Sequence, residues 1–285
     1  MILFRNISEV LTLAPAMAKE GRNIEEKDLG IQKNIEILVS GGLIVWMGPK
    51  GKCPKIYIKK IKKEISLKHQ TILPGFVECH THSIFAGSRA AEFELRNQGV
   101  SYLDIAKQGG GILSTLKATR KATSQELLKL ALSRVEQFVS QGVTTLEIKS
   151  GYGLDLKNEL KILEVAKKIK SPRVISTFLG AHAIPGEYSS EAEYLDFLVE
   201  KVLPQVKKKK LSNRVDIFIE KGFFTKENAK TYLQKAQSMG FQVVIHADQL
   251  SLSGGTDLAI EVEAQSADHL ICIGDREIQK LAKSQ

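Results

Sequence analysis

The sequence predicts an α/β fold, an incomplete (β/α)8 TIM-like barrel with six of its eight strands visible, preceded by a small β unit. Three observations carry this reading. From Thr71 onward, short apolar runs at 71–77, 143–148, 173–179, 215–219, 241–245 and 264–268 alternate with amphipathic helical patterns, which implies a parallel sheet with right-handed crossovers. Nearly every one of these runs is followed by a chemically able side chain: His80 and His82, Lys149 and Tyr152, His182, Glu220, His246, and His269. An open doubly wound sheet also fits the alternation, but barrel enzymes draw catalytic groups from the C-terminal ends of several strands, and that distribution favours the barrel. Finally, the stretch after residue 70 falls short of the ~250 residues typical of a closed barrel.

Residues 1–70 read differently. The runs 35–39 and 43–48 flank Gly41-Gly42 and predict a hairpin, and a Lys-rich stretch with Ile56, Ile58, Ile61 and Ile65 alternates as strands do. Two domains are expected, 1–70 and 71–285. Within the second, the clearest helix runs over 124–141. Thr123 and Glu126 have capping-box spacing, and Leu127, Leu130, Ala131, Val135, Phe138 and Val139 recur at three- and four-residue intervals before Gly142. Further helices are expected over 156–169 and 226–239, the latter between Thr225 and Gly240, and over 275–283.

The 285 residues are 43% hydrophobic and 26% charged, an ordinary globular balance. No apolar run approaches the ~18–20 residues of a membrane helix, so no membrane association is expected. The start carries no pattern of a secretory signal, and three scattered cysteines, Cys53, Cys79 and Cys272, make no disulfide framework. The cytoplasm is the simplest location. A net charge of +9 raises nucleic acid as a partner. However, its densest cluster, Lys207-Lys208-Lys209-Lys210, has no interleaved aromatics, and reads as a solvated turn; no nucleic-acid partner is expected.

The strongest local signal is Leu73-Pro74-Gly75-Phe76-Val77-Glu78-Cys79-His80-Thr81-His82. On an extended chain, residues i and i+2 share a side, so His80 and His82 present two imidazoles together. Neutral imidazole is a common ligand of zinc and iron, and the pair makes half of a metal site. His246, just past an apolar strand and followed by Asp248 and Gln249, is the expected third ligand; a core histidine bonded to a carbonyl is the bland alternative. Cys79, adjacent to His80, should point to the opposite face as a small packing residue. Glu147 and Lys149 share one strand face and read as a salt bridge inside the barrel. Gly109-Gly110-Gly111 follows no strand and spells no phosphate-binding fingerprint.

Taken together, Leu73–His82 resembles the signature of the amidohydrolase superfamily. Within it the chain is similar to the imidazolonepropionase family, on Phe85-Ala86-Gly87-Ser88-Arg89, Gly109-Gly110-Gly111-Ile112, Glu147-Ile148-Lys149-Ser150-Gly151-Tyr152-Gly153, Leu179-Gly180-Ala181-His182-Ala183, His246-Ala247-Asp248-Gln249-Leu250 and Ser266-Ala267-Asp268-His269-Leu270. The resemblance implies that residues 1–70 are part of a small β-sandwich. It implies hydrolysis of the ring C–N bond of 4-imidazolone-5-propanoate to N-formimidoyl-L-glutamate, with one zinc or iron ion per chain. Arg89, Tyr152, His182 and Gln249 would contact this small-molecule substrate, Arg89 as a bidentate partner for its carboxylate. Some members have Glu where Gln249 stands; an amide can position a ring atom but cannot be a general base. His269 has two open readings, polarising the carbonyl or steadying a ligand. Glu220 is either site-supporting or a satisfied ion pair. A homodimer stays open.

The family's last-strand Asp and Asn-Pro-Gly-type loop do not follow His269. The chain is therefore expected to be a C-terminally truncated member, inactive alone and poorly soluble. Two alternatives stand beside this reading: another amidohydrolase such as a ring deaminase, told apart by ammonia release, and a non-catalytic metal-binding remnant.

Overall fold

The computed structural model describes residues 1–101, 104–105 and 108–284. The chain divides into two units, Met1–Gly75 and Phe76–Gln285.

The first unit contains two small sheets. β1 (Ile2–Arg5), β4 (Ile35–Ser40), β5 (Leu43–Pro49) and β6 (Lys63–Ser66) form one, in the order β5-β4-β1-β6, and β2 (Glu9–Leu11), β3 (Ile31–Lys33) and β7 (Thr71–Ile72) form the other, in the order β3-β2-β7. The β4–β5 hairpin closes through Gly41 (φ 58°) and Gly42 (φ 80°), a pair of left-handed residues of the kind that matches strand twist. Ile7, Val10, Ile35 and Ile37 are its buried core, with Phe4, Val39, Leu67 and Ile72 packed on them. The alternation of the Lys-rich stretch misleads. Residues Lys55–Ile58 form a helical turn after Pro54, Ile56 and Ile58 are exposed, and only Lys63–Ser66 is a strand. Proline fixes φ at the start of that turn and favours it over extension.

The second unit is a curled half-barrel of six parallel strands. β8 (Phe76–Glu78), β9 (Val143–Lys149), β10 (Arg173–Ala181), β11 (Arg214–Ile219), β12 (Gln242–Ala247) and β13 (Ser266–His269) lie side by side in sequence order. The run expected as one strand over 71–77 is two, β7 and β8. Pro74 has no N–H to give a ladder, so pairing breaks between them.

Strand alternation sorts the layers. On β9, Leu146 and Ile148 pack with Leu127, Ala131 and Val135 of the helix Ser124–Ser140 and with Ile162 and Val165 of the helix Leu156–Lys168. Glu147 and Lys149 face the other way, into the barrel. β11 repeats the scheme, with Val215, Ile217 and Ile219 in the helix-facing core and Asp216 inward.

Helix starts follow local chemistry. Thr123 Oγ1 accepts from Glu126 N at 3.2 Å while Thr123 N donates to Glu126 Oε2 at 2.7 Å, a complete capping box. Asp155 caps Leu156–Lys168 through Asn158 N at 2.7 Å, and Thr225 caps Lys226–Ser238. The lysine run ends the helix Leu203–Lys208. Lys207 Nζ donates to Gly240 O and sits over the Phe241 ring, and Lys209 pairs with Glu164; all four lysines are exposed, as expected, at a helix C-terminus where positive charge is favoured.

Among the described residues, β8 and β13 each have one neighbour in the sheet, leaving one open edge apiece. Phe76 and Val77 on β8 are exposed, and Cys79 is exposed too, where burial as a packing residue was expected. Its strand lies at the sheet edge, so the face opposite His80 is not covered among the described residues.

Candidate active site

The extended backbone that pairs His80 with His82 is held past the end of β8. Lys149 N donates to Thr81 O at 2.9 Å, and Thr81 Oγ1 donates to Glu147 O at 2.6 Å. Thr81 is thereby pinned to β9, and the histidines on either side of it project together. His246 comes from β12, in register with Phe218 of β11 and Asp268 of β13. The three imidazoles converge: a ring nitrogen from each of His80, His82 and His246 lies within 4.8 Å of the others.

Two observations say what this trio suits. His82 Nδ1 and His246 Nε2 are buried with no hydrogen-bond partner among the described residues. Such orphaned nitrogens are costly unless something binds them. In addition, burial first, and then neighbouring histidines or Lys149, push the His82 and His246 rings well below the usual histidine range, so both stay neutral with a lone pair to offer. The donor set fits a divalent metal of the zinc or iron kind.

Behind the rings lies a buried charge cluster. Asp216 Oδ2 is 3.0 Å from His246 Nδ1, and Asp268 Oδ2 is 2.7 Å from His80 Nδ1. Both carboxylates meet one ammonium, Lys149 Nζ, at 2.8 and 2.9 Å, and Glu147 adds a third oxygen at 3.1 Å. Glu147 in turn accepts from Thr177 Oγ1 at 2.5 Å. Burial works against the Lys149 charge, but the charges of Asp216, Glu147 and Asp268 outweigh it and raise the ammonium's pKa. Burial raises Asp216, whereas Asp268, although burial opposes its charge, is held far below the usual range by His80 and Lys149. A carboxylate on one imidazole nitrogen fixes the tautomer and aims the other nitrogen.

Three of the remaining expected groups, His182, Tyr152 and His269, stand beside these rings. His182 stacks on His82 with ring centroids 5.0 Å apart, and Tyr152 lies 5.4 Å from His182 and 5.5 Å from His82. Burial lowers His182 to about 4. His182 Nδ1 is 2.9 Å from Gly151 O, and Gly151 adopts φ 105°, where a Cβ would also stand 2.8 Å from that nitrogen. The fully buried Glu159 accepts from Gly151 N, Gly153 N and Leu154 N at 2.7–3.1 Å, and this carboxylate shapes the loop bearing Tyr152.

Arg89 Nε donates to Glu92 Oε2 at 2.6 Å, and Glu92 Oε1 accepts from Gly111 N at 2.9 Å. The glycine-rich loop is thus tied to Arg89, whose charge reaches His182.

His269 is exposed, with its ring 4.6 Å from His80 and 4.9 Å from His246. Alternation alone would send it away from Asp268. Left-handed φ values at His269 (75°) and Leu270 (55°) turn the chain at this point. Gln249 is half-buried in the turn after β12, its carbonyl accepting from Cys272 Sγ. Its neighbours are committed elsewhere. Asp248 organises the start of the helix Gly255–Glu261 by accepting from Ser253, Gly254 and Thr256, and Glu220 fastens the same turn through Leu250 N and Ser251.

Sequence reasoning missed Asp216, Asp268, Glu159 and Arg134. Arg134 Nη1 donates to Ser83 O and Phe85 O at 2.9 and 2.8 Å, with its guanidinium 3.6 Å above the Phe85 ring, and so fastens the loop after His82. A signal existed for Asp216: one carboxylate inside the apolar run Val215-Asp216-Ile217-Phe218-Ile219 needs a buried cationic partner.

No family model matches the chain. Among solved structures it shares its fold with A. niger ochratoxinase (TM-score 0.62, 15% identity, 99% of this chain and 63% of that one). It also does so with a zinc-bound adenosine deaminase from Xanthomonas campestris (TM-score 0.60, 14% identity, 99% and 60%). Sequence relatives are much nearer. The imidazolonepropionase of Bdellovibrio bacteriovorus is 55% identical over 285 residues, all of this chain and 67% of the relative. That of Bacillus velezensis is 42% identical over 286 residues, 99% of this chain and 66% of the relative, and that of Clostridium tetani is 39% identical over 285 residues, 99% and 68%. The chain spans about two thirds of the length of these relatives, and with such identity over essentially all of its own residues it belongs to the imidazolonepropionase family.

Proposed function

We propose that this chain carries the catalytic centre for hydrolysing the ring C–N bond of 4-imidazolone-5-propanoate to N-formimidoyl-L-glutamate, a step of L-histidine degradation. The observation that carries the reading is the convergence of His80, His82 and His246, with two buried nitrogens left without partners among the described residues. These residues would hold one zinc or iron ion. Such an ion supplies a water acidified to a pKa of ~7 and a Lewis acid for the ring carbonyl.

The remaining roles fall to the surrounding side chains. Arg89 pairs with the substrate carboxylate, the planar fork matching its two oxygens. Tyr152 and His182 line the ring, and the Gln249 amide orients a ring nitrogen or oxygen. His269, beside His80 and His246 and exposed at the mouth, takes the proton of the attacking water. It then returns that proton to the ring nitrogen as the C–N bond breaks, so water is added across the bond with nothing left over. Among the described residues no helix is long and apolar enough to cross a membrane, and the free thiols of Cys53, Cys79 and Cys272 suit a reducing cytoplasm.

The half-barrel's two open edges bear on turnover, because unpaired edges leave strand ends and their side chains unsupported. The test compares the 285-residue chain with the same chain joined to the last third of the Bdellovibrio relative. Both are loaded with zinc or iron, and loss of the imidazolone is followed spectrophotometrically. The joined form is expected to turn over, and the 285-residue chain to stay near background. Ammonia release from a ring amine, with no loss of imidazolone, would overturn the reading in favour of a deaminase.

A further inference from the structure

A second group of ligands shares His246 with the first. Asp216, His246 and Asp268 also bring one ligand atom each within 4.8 Å of one another, a spacing that suits a metal ion. Of the two nitrogens of that ring, Nδ1 faces Asp216, while Nε2 is buried with no hydrogen-bond partner among the described residues. The carboxylates of this second group already hold a cation. Lys149, fully buried, places Nζ 2.8 Å from Asp216, 2.9 Å from Asp268 and 3.1 Å from Glu147.

We propose that the Lys149 ammonium restricts this centre to a single metal ion by filling the position between Asp216 and Asp268 that a second ion would take. The inference rests on the histidine metal centre proposed above. An ammonium has three N–H donors and no acceptor, and here three carboxylate oxygens surround it, so its capacity is matched. A divalent ion would draw the same oxygens to ~2.0–2.2 Å around the same point. Ammonium and second ion are therefore mutually exclusive. With the ammonium in place, Asp216 and Asp268 remain acceptors for His246 and His80 and do not become ligands, which keeps both rings aimed at one ion. Lys149 is on this account a positioning residue that also sets stoichiometry.

The test is metal counting. The wild-type chain, Lys149→Met and Lys149→Gln are each dialysed against excess cobalt(II), and bound metal per chain is measured by atomic emission alongside the visible d–d spectrum. The expected result is one equivalent in the wild type and two in both variants, with a second set of d–d bands. Adding Asp268→Asn to Lys149→Met should return the count to one. The inference is overturned if the variants bind one equivalent with the wild-type spectrum. It is equally overturned if both stay unfolded by circular dichroism in excess metal, because an incoming ion should restore the charge balance. A wild-type chain that takes up no metal would remove the histidine centre itself, and this inference with it.

Discussion

His246 Nδ1 lies 3.0 Å from Asp216 Oδ2, on adjacent strands of the half-barrel, and the other nitrogen of the same ring is buried without a partner among the described residues. The carboxylate fixes which nitrogen carries the proton and leaves Nε2 with its lone pair to offer. Asp216→Asn keeps the shape but loses the charge. Metal affinity is expected to fall about 10–100-fold, the usual effect of removing a partner of a ligating histidine. Competition with a chromophoric chelator measures this; unchanged affinity would show that the Asp216 charge has no part in aiming the ring.

Arg89 concerns substrate rather than metal. Arg89→Lys retains the charge near His182 but loses the planar two-pronged contact. In the catalytically competent form, KM should rise about tenfold, or ~1.4 kcal/mol of binding, with metal content unchanged. Steady-state kinetics beside metal analysis separate the two effects.

The buried histidines make the metal-free protein acid-sensitive. An unfolded histidine titrates near ~6.5, whereas burial holds His182 at about 4 and lowers His82 and His246 as well. Between those values the unfolded chain binds more protons, so this stability is fully present above the unfolded value and is lost as pH falls toward 4. Urea midpoints measured at intervals from pH 7.5 to 4 should drop through this window, and less steeply in His182→Asn. A flat profile would contradict neutral burial.

Glu159 is a structural target that motif reading overlooks. Its carboxylate satisfies the backbone N–H groups of Gly151, Gly153 and Leu154 in a fully buried position. Glu159→Ala leaves these donors unpaired, at a cost of about 3–5 kcal/mol. Urea denaturation should show that loss. Since the same loop carries Tyr152 and the Gly151 carbonyl beside His182, KM should rise even where the variant is folded.

Much of the fold was legible because its signals are local. Capping at Thr123 and Thr225, apolar periodicity in the helices, and the alternation of short apolar runs each depend on neighbours within a few residues, and each reappears as the expected element. Where local signals conflicted, the reading failed. Alternation around Ile56 and Ile58 lost to Pro54, and the run 71–77 split at Pro74 into strands of different sheets.

The sequence by itself determined the histidine pair, the strand-end positions of His182, His246 and His269, and the family, since residue type, i,i+2 spacing and motif are properties of a linear string. Only the tertiary structure decided that Lys149, 67 residues from Asp216, gathers Asp216 and Asp268 behind two of those histidines. It also decided that Asp248 and Glu220 serve the turn after β12. The reason is physical: a carboxylate is recruited by whichever buried donors the packed strands bring within hydrogen-bonding distance, and that choice depends on sheet register and burial, which no single segment encodes.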